Sequence, residues 1–206
     1  MHSLPVISAG IPVTEAKNVL IMLHGRGATA QDIVQLASHL NVADYALLAP
    51  QATGNSWYPY SFLAPQQQNE PALSYALDNI LKLVEEVKSN GISSESIYFT
   101  GFSQGACLAL EFVARHAQRY GGVAAFTGGL VGAELNMANY HGDFASTPIF
   151  IGSGDPDAHV PLERVHQSVD VLKHLNADVT LKVISGRPHT VSPDEVELAN
   201  QLVFRQ

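Results

Sequence analysis

The sequence predicts an α/β fold, a mostly parallel central sheet with helices on both faces. Short apolar runs alternate with helix-period segments along the chain, the order that generates parallel β-α-β units. Several of those runs are continuously apolar rather than alternating, as strands covered on both faces are. The 206 residues suffice for one sizeable core, so a single domain over residues 1–206 is expected.

The apolar runs lie at 19–23, 45–49, 97–100, 123–126, 149–151 and 179–184, and a short run at 4–8 adds an edge strand ahead of Gly10 and Pro12. The helical periods fall at 30–40, 71–88, 104–119, 162–175 and 193–204. Two connections, 50–70 and 128–147, are long for such a fold, and loops of that length in a compact domain usually carry function. Neither is long enough to build a cap domain.

Composition narrows the function classes. A net charge of −8 with no basic run argues against nucleic acid or an anionic membrane as partner. No apolar stretch approaches the roughly 18 residues of a membrane span, so stable membrane insertion is not expected. The first residues lack the basic and apolar regions of a signal peptide, and the single cysteine, Cys107, forms no internal disulfide. A cytoplasmic location is the expectation.

The chemistry begins at Gly101-Phe102-Ser103-Gln104-Gly105, which falls between an apolar run and a helical period. Strand, Gly-x-Ser-x-Gly, helix is the nucleophile elbow of the α/β-hydrolase fold: the serine sits on a strained turn that exposes its hydroxyl, and glycines on either side relieve the crowding. The adjacent helix N-terminus favours developing negative charge.

A serine nucleophile needs a base, and the base an orienting carboxylate. In this fold they follow in the order Ser, Asp or Glu, His. One later strand ends in Gly154-Asp155-Pro156-Asp157-Ala158-His159-Val160-Pro161, and the last ends in Gly186-Arg187-Pro188-His189-Thr190. Both lie past the carboxyl ends of strands, where open α/β sheets bind ligands. Asp157, immediately before the Ala-His-Val-Pro that leads into the next helix, is the expected acid, and Asp155 the shaper of the turn. His159 is too near Asp157 in the chain to align between it and Ser103. His189 arrives from a separate strand and is the expected base. The remaining helix and surface histidines lack the number and spacing of metal ligands, so neither metal nor cofactor is expected.

The oxyanion of an acyl-transfer intermediate needs two N–H donors. The fold supplies one from the residue after the nucleophile, Gln104, and one from the loop after an early strand. Here that loop is His24-Gly25-Arg26-Gly27, with Arg26 the expected donor. It lacks the Gly-Lys-Ser/Thr ending of a phosphate loop.

Taken together, His24-Gly25-Arg26-Gly27, the Phe-Ser-Gln elbow, Gly154-Asp155-Pro156-Asp157 with Val160-Pro161, and Pro188-His189-Thr190 resemble the phospholipase/carboxylesterase family, which is similar to acyl-protein thioesterases and bacterial carboxylesterases. The resemblance spans nearly the whole chain in the right order. It implies a cap-poor serine esterase that cleaves a small ester or thioester and is often homodimeric. Arg26 and Arg187-Pro188 depart from the usual pattern of the thioesterases.

The loop Asn55-Ser56-Trp57-Tyr58-Pro59-Tyr60-Ser61-Phe62-Leu63 follows a strand at the same sheet edge. Trp57, Tyr58, Tyr60, Phe62 and Leu63 are expected to form one wall of an apolar substrate site, with Leu130, Val131 and Met137 on the other side. Cys107, four residues into the helix after Ser103, reads as a small buried side chain. The expected activity is hydrolysis of carboxylic esters, with lysophospholipids or acyl thioesters as close variants, through an acyl-enzyme. Acyl-protein thioesterase-type activity, or ligand binding without catalysis, is the alternative.

Overall fold

The computed structural model describes residues 4–205. Among them are the strands β1 (Val6–Gly10), β2 (Asn18–Leu23), β3 (Tyr45–Pro50), β4 (Ile97–Phe102), β5 (Gly122–Phe126), β6 (Pro148–Asp155) and β7 (Asp178–Ser185). They form a seven-stranded sheet in the order β1-β3-β2-β4-β5-β6-β7. β1 runs antiparallel to β3 and every other neighbouring pair is parallel. The helices are α1 (Ala30–Gln35), α2 (Gln66–Asn69), α3 (Ala72–Ser89), α4 (Gln104–Arg115), α5 (Leu162–His174) and α6 (Pro193–Leu202).

Side-chain alternation along the strands divides the interior into two layers. On β2, Val19, Ile21 and Leu23 enter one core, while Leu20 and Met22 enter the other. The first core is closed by α3, α4 and α5 through Leu73, Ile80, Leu110 and Val165, and the second by α1 and α6 through Ile33 and Ala199. This is why the strands read as continuous apolar runs: each alternate residue has a helix to bury it. No helix among the described residues is long and apolar enough to cross a membrane.

The differences from the expected elements have local causes. The edge strand is displaced to 6–10 by its pairing of Val6 with Pro50 and Gly10 with Ala46. The period at 30–40 is α1 followed by a 3-10 turn at Leu36–His39. α4 stops at Arg115, and Tyr120 folds back to donate its hydroxyl to the His116 carbonyl at 2.8 Å. α6 ends at Leu202, which frees Phe204 to bury itself against the rings of Tyr45 and Tyr98. β6 extends past its apolar stretch to Asp155 because it pairs with β7 from Pro148 to Asp155. That extension carries the polar end of β6 up to the site.

Candidate active site

The loops that leave β2, β4, β6 and β7 meet at one edge of the sheet and bring Arg26, Ser103, Asp157 and His189 there. Ser103 follows β4 directly and has φ 54 and ψ −119, a conformation that a residue with a side chain adopts only under strain. Its N–H is held by the Phe126 carbonyl at 3.0 Å, one strand away. The flanking glycines answer to sterics. A Cβ on Gly101 would lie 2.5 Å from the Gly105 carbonyl carbon, and one on Gly105 would lie 2.0 Å from the Leu23 carbonyl oxygen. The first glycine thus lets β4 close on α4, and the second lets α4 start against the end of β2.

His189 Nε2 lies 2.8 Å from Ser103 Oγ, and its Nδ1 lies 2.8 Å from Asp157 Oδ2. Because the carboxylate can only accept, Nδ1 carries the proton and Nε2 is left to accept from the serine hydroxyl. Oδ1 of Asp157 accepts the N–H groups of His159 at 2.8 Å and Val160 at 2.9 Å. Burial raises the Asp157 carboxyl, but the hydrogen bonds from His189, His159 and Val160 together outweigh it and hold it below the usual carboxylate range. Asp155 is exposed at the end of β6. Its carbonyl, rather than its side chain, accepts the N–H of Gly186 at 2.8 Å. His159 packs its ring edge-to-face against His189 at 4.8 Å, on the open side of the site.

Arg26 and Gln104 border the same cleft as Ser103. Gln104 opens α4, so its N–H has no intrahelical acceptor. The side chains of both residues face away from chemistry and hold the 56–60 loop. Arg26 donates to Ser56 Oγ and to the carbonyls of Tyr58, Pro59 and Tyr60 at 2.7–2.9 Å. Gln104 accepts the Trp57 N–H at 3.0 Å and donates to the Tyr58 carbonyl at 2.9 Å. His24, buried behind them, accepts the Ala52 N–H at Nε2, so its Nδ1–H donates to the Gly25 carbonyl at 2.8 Å. Burial pulls the His24 pKa down, against the smaller opposing effect of that carbonyl.

The cleft has a volume of about 710 Å³, and no carboxylate lines it. Tyr58, Tyr60 and Phe62 are among the residues that line it, with Phe102, His159 and Val160. Cys107 reaches its floor but is 1% exposed, and burial pushes its thiol up to about 12.

Five residues expected in the walls stand elsewhere. Trp57 turns beneath the loop, donates its indole N–H to the His24 carbonyl at 2.8 Å and borders a small separate cavity with Leu4 and Ala76. The bend at 57–60 is pinned there by Gln104, which takes the Trp57 N–H and the Tyr58 carbonyl. Leu63 packs against the core beyond the cleft. Leu130 is fully buried, its carbonyl held by Arg164 at 3.1 Å. Val131 is likewise in the core, and Met137 lies exposed at a remote groove on α5. The further lining residues were not legible because they come from the loops that carry Ser103 and Asp157 themselves. Phe102 inside the elbow and His159-Val160 beside Asp157 were their only sequence signal.

A strained serine between strand and helix, with histidine and carboxylate delivered by later strands of a parallel sheet, defines the α/β-hydrolase class. Within it, the phospholipase/carboxylesterase family model matches residues 5–203, and the chain belongs to that family, whose members are hydrolases acting on esters. The crystal structure of a phospholipase/carboxylesterase from Dyadobacter fermentans is 53% identical and superposes with a TM-score of 0.97, covering 100% of this chain and 99% of that one. Acyl-protein thioesterase 1 of Saccharomyces cerevisiae is 28% identical over 90% of this chain and 91% of its own length. The carboxylesterase of Bacillus cereus, at 19% identity and a TM-score of 0.78 over 96% of this chain and 92% of that one, shares the fold.

Proposed function

We propose that the protein is a serine esterase that hydrolyses small carboxylic esters through an acyl-enzyme on Ser103. The observation that carries this reading is the pair of 2.8 Å contacts that place His189 between Ser103 and Asp157. In the first half-reaction His189 takes the Ser103 proton as Oγ attacks the ester carbonyl, and the N–H groups of Arg26 and Gln104 receive the oxyanion. The imidazolium, stabilised by the ionised Asp157, then protonates the departing alcohol. In the second, His189 activates water, which attacks the acyl-Ser103 carbonyl and restores the free serine. Tyr60, exposed at the cleft, offers ring surface to substrate and no general base or oxyanion donor. A thioester would follow the same steps with a thiol as leaving group, and the similarity to a yeast acyl-protein thioesterase makes it the second substrate to try. A cytoplasmic setting fits the single, buried and unpaired Cys107.

The test is Ser103→Ala together with a fluorophosphonate probe. Turnover of a short p-nitrophenyl ester should be lost with the melting temperature kept, and the probe should label the wild type at Ser103 alone. Full activity in Ser103→Ala, or stoichiometric labelling elsewhere, would overturn the assignment.

A further inference from the structure

Arg187 is one residue from the end of the turn after β7 and two residues before His189, yet its side chain is only 3% exposed. Its guanidinium makes contacts to three separate segments. Nη2 donates to Thr127 Oγ1 at 2.6 Å and lies 3.3 Å from Glu195 Oε1, whose side chain is fully buried. Nη1 donates to the carbonyls of Pro188, at 3.2 Å, and Thr190. These are the carbonyls of the two residues that flank His189. Each anchor is itself built in. Glu195 Oε2 accepts from the N–H and hydroxyl of Ser192 in the capping box of α6. β6 makes room for the other oxygen with Gly152, where a Cβ would sit 2.1 Å from Glu195 Oε1. Thr127 holds φ at +61, rare for a β-branched residue, and directly follows Phe126, whose carbonyl accepts the Ser103 N–H.

A buried ion pair is poor value as a source of stability, since desolvation of both groups offsets their attraction and an apolar pair of similar size often does as well. What an apolar pair cannot do is hold two carbonyls and a hydroxyl at once in a fixed fork. We propose that Arg187 is a positioning residue for His189, fixed by Glu195 and Thr127. It sets the 188–190 backbone, and so the imidazole, relative to the strand end that holds Ser103. This rests on His189 as the base.

A displaced imidazole harms proton delivery to the leaving group most. Nitrophenolate leaves without a proton, whereas an alkoxide needs one. Arg187→Met, Arg187→Lys and Glu195→Gln should therefore be compared with wild type on a p-nitrophenyl and an ethyl ester of the same acid. kcat and KM are measured separately and normalised to the fraction labelled by fluorophosphonate. For Arg187→Met, kcat/KM on the ethyl ester should fall roughly 100-fold and on the nitrophenyl ester less than about tenfold, through kcat rather than KM. Glu195→Gln, which keeps the size of the side chain, should show the same ratio in milder form, and Arg187→Lys should restore part of it. Equal losses on the two esters in the variants that fold, or full activity in Glu195→Gln and Arg187→Lys, would overturn the proposal. Ser103→Ala on both esters separates the two readings: activity there defeats the base assignment itself, and inactivity leaves a failed ratio to count against Arg187 alone.

Discussion

The indole N–H of Trp57 donates to the carbonyl oxygen of His24 at 2.8 Å, so the aromatic loop hangs from the segment that brings Arg26 to the cleft. The rings of Trp57 and His24 also pack at 4.9 Å. The only tryptophan is therefore a support for the loop that carries Arg26, and the consequence can be measured.

Trp57→Ala should lower stability by about 3–5 kcal/mol, the usual cost of emptying a buried aromatic site. It should depress turnover of acetyl and longer esters by similar factors. Thermal unfolding and kcat/KM across a chain-length series check this. An unchanged melting temperature with a shifted chain-length optimum would return Trp57 to the substrate wall.

Tyr60 gives the opposite pattern. Its side chain is 56% exposed at the cleft, while its backbone is held by Asn69 and Arg26. Tyr60→Ala should leave the melting temperature within about a degree, because exposed substitutions away from special features rarely exceed ~0.5 kcal/mol. It should alter the preference among acyl or alcohol chain lengths. Each buried methylene contributes about 0.8 kcal/mol, so contact with two more carbons alters kcat/KM roughly tenfold. Identical chain-length profiles for wild type and variant would exclude the contact.

Asp157→Asn should cost about 10⁴ in kcat, since an amide in place of the carboxylate accepts or donates in the wrong sense and upsets the His189 tautomer. Asp155→Asn, at an exposed side chain, should cost only a few-fold. Equal losses would show that the carboxylates had been assigned the wrong way round. The pH dependence of stability gives a second measurement. The Asp157 carboxyl is held below its ordinary value in the folded protein, so it binds a proton less readily there than in the unfolded chain. Its contribution is fully present above the unfolded value of about 3.9 and is lost as pH falls below it. Melting temperature should therefore drop less steeply with acid in Asp157→Asn than in wild type.

Cys107 should resist iodoacetamide at pH 8 in the native protein and react fully once unfolded. Its thiol is buried and pushed up to about 12. The thiolate, the reactive form, is then only about 10⁻⁴ of the total at that pH. Mass spectrometry of intact protein with and without denaturant reads this directly. Rapid native alkylation would mean that the cleft floor opens.

Residue type and order determined the sheet and the candidate triad. Val19 to Leu23 is apolar on both faces because a helix covers each, and that regularity is visible without coordinates. The glycines at 101 and 105 announce Ser103 because the elbow cannot form with side chains there. Asp157 and His189 could be chosen because chain order and strand ends are one-dimensional facts. Tertiary structure alone decided which way the side chains of the irregular segments turn. Trp57 and Tyr58 are adjacent in sequence and both buried, and only the hydrogen bonds of Gln104 and His24 set one beside a separate small cavity and the other beneath the cleft. Leu130 follows the strand β5 as a wall residue would, but Arg164, thirty-four residues later, ties its carbonyl into the core. Arg187 looked like a departure from a pattern until folding brought Thr127, Glu195 and two carbonyls around it. Loops have no period, so their side-chain directions follow from partners that the fold supplies from distant parts of the chain.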